Sequence, residues 1–137
     1  MLTVLCIICI FITLYLLYYS KTSDKYVLLI SLIGQLLMLY GSIYKNNYIL
    51  EICHILFWIV ILYFTFFCKE YYILLFILLC VIVALITRLY YNDCLFLIEN
   101  NNTEIIDYTK INVNVNKCCI ILILIIIFRL YINQSHL

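Results

Sequence analysis

Four apolar runs of about nineteen to twenty-one residues follow one another along this chain, each long enough to cross the ~30 Å hydrocarbon core of a bilayer as a helix. They cover Leu2–Ser20, Tyr26–Tyr44, Tyr48–Cys68 and Tyr71–Leu89, and a shorter fifth run covers Cys118–Ile132. The breaks are brief: Lys21–Lys25, Lys45–Asn47 and Lys69-Glu70. Connectors this short force neighbouring helices to run antiparallel. A spanning segment must satisfy its own backbone groups, so the runs are helices rather than isolated strands. A barrel would alternate apolar and polar residues, and these runs do not. The expectation is an all-α membrane protein in a single domain, residues 1–137. Four long transmembrane helices form an antiparallel bundle with a shorter fifth. Arg129 interrupts the fifth run, which either spans with Arg129 snorkelling to the interface or lies interfacial or re-entrant.

Composition removes other classes. The chain is 69% hydrophobic and only 11% charged, against roughly 25% charged in soluble domains. The net charge of +1 with no basic stripe gives no nucleic-acid footprint. The expected partners are the lipid bilayer itself, a second copy of the chain, or other membrane proteins. Ile, Asn and Tyr are abundant, while Ala84 is the one alanine and proline is absent. Such usage points to a gene poor in G and C, and suggests a viral or parasite source. Tyrosines such as Tyr18, Tyr19, Tyr26, Tyr44, Tyr48, Tyr71 and Tyr90 fall at the run edges, where an aromatic ring with one polar end is expected. The first run lacks a basic leader and an A-x-A-like end, and is read as a retained span.

Residues 90–117 form the long hydrophilic stretch. Asn100-Asn101-Asn102 marks a turn, and Lys110–Asn116 alternates apolar and polar residues as a strand does. An extramembrane β-hairpin and an unstructured linker both fit. Asn101-Asn102-Thr103 is a glycosylation acceptor, which with the two lysines of the first break favours an outside or luminal N-terminus.

Polar residues inside the runs are the candidate site. Glu51 and Arg88 lie equally far from the break between runs three and four, so a hairpin brings them to one depth. His54 follows Glu51 by three residues on the same helical face, and Gln35 lies on the same half of the membrane. Together, Gln35, Glu51, His54 and Arg88 suit a polar pocket for a small solute or proton relay. The same residues also suit a structural pair that fixes helix register. Gly34 and Gly41 are seven apart and give no small-xxx-small motif, so helix contacts are expected to rest on bulky side chains.

Among the eight cysteines, Cys6-Ile-Ile-Cys9 places two thiols on one helical face, on the same half of the bilayer as Cys94, Cys118 and Cys119. That arrangement resembles membrane thiol oxidoreductases of the DsbB and VKOR type in topology and cysteine placement. The resemblance implies four helices passing electrons from cysteine pairs to a quinone. Glu51, Cys53, His54 and Cys94 lack recognised metal-ligand spacing, and no metal or cofactor is expected. Phosphate-loop, nucleophile-elbow and zinc-protease motifs are absent. The first expectation is therefore a non-enzymatic structural or interaction component of a viral or endomembrane bilayer. A small-solute transporter or channel subunit is the second, and a thiol oxidoreductase the third.

Overall fold

The structure is a computed structural model that describes residues 2–20, 23–91 and 114–134. Five helices occur among the described residues: α1 (Leu2–Tyr19), α2 (Asp24–Tyr44), α3 (Asn47–Phe67), α4 (Tyr71–Tyr91) and α5 (Val115–Gln134). Each is long and apolar enough to cross a membrane. The all-α expectation holds, and the helix boundaries fall within a few residues of the apolar runs.

Helix ends follow local chemistry. Lys45 closes α2 in the left-handed conformation (φ 51°), with its N–H on Gly41 O. Asn46 then caps α3, its side chain accepting from the Ile49 N–H at 3.2 Å. The fifth helix is 20 residues long rather than about fifteen. Asn114 is the reason: its side chain accepts from the Lys117 N–H at 3.2 Å, so capping starts the helix before the apolar run begins. Val115 and Asn116, read from sequence as the end of a strand, form the first turn of α5. The remainder of that strand, the hairpin, Cys94 and Asn101 lie outside the described residues.

Every helix is apolar on all sides, so hydrophobic periodicity does not mark the inward face. Small and polar residues mark it instead. Along α1 the stripe runs Leu2, Cys6, Cys9, Thr13, Leu16, and along α3 it runs Glu51, His54, Trp58, Ile61, Thr65, in alternating steps of three and four. Thr13 and Thr65 are fully buried. This 3.5-residue repeat keeps one stripe facing the neighbouring helix. Gly34 and Gly41 share such a face on α2. A Cβ at Gly34 would meet Leu56 at 2.8 Å, and one at Gly41 would meet Ile49 and Leu50 at 3.2 Å. The expectation that contacts rest on bulky residues alone is corrected here, because the two glycines let α2 and α3 approach closely. Large apolar side chains such as Phe11, Ile59 and Leu124 cover the outward faces.

Helices α1, α2 and α3 pack in series, and α4 packs chiefly on α5. The two groups meet more lightly along a seam, through α3–α4, α1–α4 and α3–α5. Toward the 20–24 and 68–70 connectors the seam is filled by a core drawn from both groups, including Leu28, Phe64, Ile73, Ile77 and Ile126. At the opposite end the buried cluster is Leu2, Cys6, Met38, Leu50 and Cys53, all from α1–α3. No buried side chain of α4 joins it.

Candidate functional site

The polar side chains at depth fall into three places along the seam and the α1–α2 contact. The first is a clamp at the filled end. Arg129 of α5 reaches across to the C-terminus of α3, where Nη1 donates to Phe64 O at 3.2 Å and Thr65 O at 2.6 Å, and Nη2 donates to Cys68 O. The last carbonyls of a helix lack intrahelical donors and carry the negative end of its dipole, so a guanidinium fork suits them in charge and shape. Asp24, 2% exposed, accepts from the Lys69 N–H at 3.0 Å, tying the start of α2 to the α3–α4 connector. Ser20 Oγ donates to Glu70 Oε1 at 2.7 Å. Cys68, just beyond α3, donates to Glu70 O at 3.5 Å, and burial pushes its thiol up to about 12. It therefore stays protonated and unreactive at neutral pH. Arg129 thus ties α5 to the end of α3.

The second place joins α1 to α2. Gln35 Nε2 donates to Thr13 Oγ1 at 2.9 Å and to Ser31 Oγ at 3.2 Å. Nearer the other end, the Thr3 and Ser42 hydroxyls lie 2.8 Å apart. Hydrogen bonds of this kind are each worth roughly 0.6–1.7 kcal/mol between membrane helices.

The third place is a slot at the unfilled end of the seam, with a volume of about 130 Å³, lined by α1, α3 and α4 with Met38 of α2. Its walls are apolar apart from His54, Trp58, Thr87, Arg88 and the thiols of Cys6, Cys9 and Cys80. Trp58 Nε1 donates to His54 Nε2 at 2.9 Å, so the imidazole that accepts there carries its proton on Nδ1. Thr87 Oγ1 turns back onto Val83 O and Ala84 O. Cys9 of α1 and Cys80 of α4 line it from opposite walls. Arg88 Nε donates to Asn116 Oδ1 of α5 at 3.1 Å.

Of the residues singled out from sequence, His54 and Arg88 come together in the slot. Glu51 is buried on α3 and does not line it, and Gln35 faces α1 instead. Arg88 turns to Asn116 rather than to Glu51. Cys6 and Cys9 share the slot with Cys80 of α4. Cys118 and Cys119 lie on α5, the latter fully buried. No cluster of three metal-ligating side chains occurs among the described residues. Sequence reading missed the pairing of Arg129 with the end of α3. Its signal was an arginine in an apolar run at the height of a helix C-terminus.

No protein-family description, curated protein or solved structure matches this chain.

Proposed function

We propose that this chain is an integral membrane protein of five spans, acting as a structural or interaction component of a viral or endomembrane bilayer rather than as an enzyme. The observation that carries this reading is how its deep polar groups are used. Arg129, Asp24, Ser20, Gln35 and Arg88 each hydrogen-bond to another helix or connector, and so serve packing. Outward faces of Ile, Leu and Phe suit acyl chains, which form no hydrogen bonds and exact no desolvation cost. Exposed tyrosines near the helix ends, such as Tyr18, Tyr26, Tyr44 and Tyr90, suit the interfacial belts. Alkaline carbonate treatment of membranes should leave the protein in the pellet; release into the supernatant would refute integral insertion. The outside orientation of the N-terminus rests on the Asn101 acceptor: a glycosidase-sensitive mass shift should vanish on Asn101→Gln, and its absence in the parent chain would reverse the orientation.

A transport role is the second reading, favoured by His54 and Arg88 lining one slot. Flux of a small polar solute through proteoliposomes, reduced by His54→Ala, would replace the structural reading with this one.

A further inference from the structure

We propose that the slot seats the headgroup-proximal segment of one acyl chain of an anionic bilayer phospholipid, with the lipid phosphate held by Arg88. The proposal rests on the membrane reading above and goes beyond it by assigning a ligand. Size and position are the first support. The slot's volume of about 130 Å³ is on the scale of a cavity that takes one small apolar group, and its lining includes Arg88, three residues from the end of α4, so it suits the part of a chain nearest the headgroup. Wall chemistry is the second. An apolar cavity holds water poorly, and thiols such as those of Cys6, Cys9 and Cys80 behave as small apolar groups, so hydrocarbon is the matching content. Charge is the third. Arg88 gives only Nε to Asn116 among the described residues, which leaves the terminal nitrogens for a phosphate, the anion whose geometry a guanidinium fork matches. No Asp or Glu lines the slot to oppose an anion there. The slot's origin is also accounted for: it lies where the α4–α5 pair contributes no buried side chain to the α1–α3 cluster.

Trp58 is the chain's one tryptophan, and it lines the slot. Its fluorescence therefore reports occupancy. The full chain is reconstituted into vesicles containing phosphatidylglycerol or phosphatidylcholine brominated on the acyl chain, each at the same mole fraction in an otherwise unbrominated phosphatidylcholine bilayer. Quenching should show about a fivefold preference for the anionic lipid, the scale of one arginine at a membrane surface. Arg88→Gln should bring the preference to parity, whereas Lys45→Gln with Lys117→Gln, exposed at the same end, should retain it. Ala84→Phe, filling the slot, should lower quenching by phosphatidylglycerol to the phosphatidylcholine level. Equal quenching by both lipids in the parent chain would overturn the lipid seat alone. So would a preference that survives Arg88→Gln. No quenching by either lipid would overturn the lipid seat as well, whereas failure of the membrane reading on which it depends shows separately, as release by alkaline carbonate.

Discussion

Arg129 and Asp24 have few substitutes in this chain, because each satisfies backbone groups at helix ends and connectors. Arg129 reaches three carbonyls at the end of α3. Arg129→Leu removes all three donors and should lower stability by about 1–3 kcal/mol, measured by thermal unfolding in detergent. Arg129→Lys should fall between, since an ammonium brings the charge without the planar fork. An unchanged melting temperature in Arg129→Leu would mean that the clamp is idle. Asp24 offers a contrast. Asp24→Asn keeps an oxygen for the Lys69 N–H and should cost little, whereas Asp24→Leu strands that donor and should cost about 1–3 kcal/mol. If the two variants unfold alike, the hydrogen bond is not what Asp24 supplies. At this scale the sequence was only half legible. Arg129, His54 and Arg88 stood out as polar residues in apolar runs. Their partners did not, because backbone carbonyls, an indole N–H and an asparagine in the next segment leave no mark of pairing in a linear chain.

Helix existence was plain from length and apolarity, and the tyrosine edges and short connectors gave the boundaries of α1 to α4. The facing of each helix was hidden. In a soluble bundle the apolar stripe points inward, but here both sides are apolar and the stripe of small and polar residues carries the information. Gly34 and Gly41 illustrate it: seven residues is two turns, so both lie against α3. Gly41→Leu should separate α2 from α3 and lower the unfolding temperature by several degrees. Gly34→Ala should be mild, because the atom it meets is the free end of Leu56. Equal effects would argue against the α2–α3 facing. The α1–α4 contact is tested by chemistry. In a Cys6→Ser background, a bifunctional bimane should bridge Cys9 and Cys80 within one chain, and either cysteine changed to serine should abolish the bridge. A bridge that survives Cys80→Ser would place another thiol beside Cys9.

The whole molecule is two helix groups joined along a seam that is polar and filled at one end and open at the other. That asymmetry follows from where the chain spends its charges. Asp24, Glu70 and Arg129 gather where three helix ends meet, and among the described residues Arg88 is the charged side chain that lines the slot. The pairing of Glu51 with Arg88 was expected because a hairpin of α3 and α4 brings both to one depth. Those two helices meet lightly, and Arg88 hydrogen-bonds instead to Asn116 in the first turn of α5. All of this requires that the chain cross the bilayer five times, with Lys45 and Lys117 on one face and Lys69 and Asn133 on the other. The most direct measurement is labelling by a membrane-impermeant maleimide in sealed vesicles, with a cysteine placed singly at each of these positions and read over the labelling of the parent chain. Lys45→Cys and Lys117→Cys should react from one side only, and Lys69→Cys and Asn133→Cys only from the other. Reaction of Lys45→Cys and Lys69→Cys from the same side would contradict the five-span bundle.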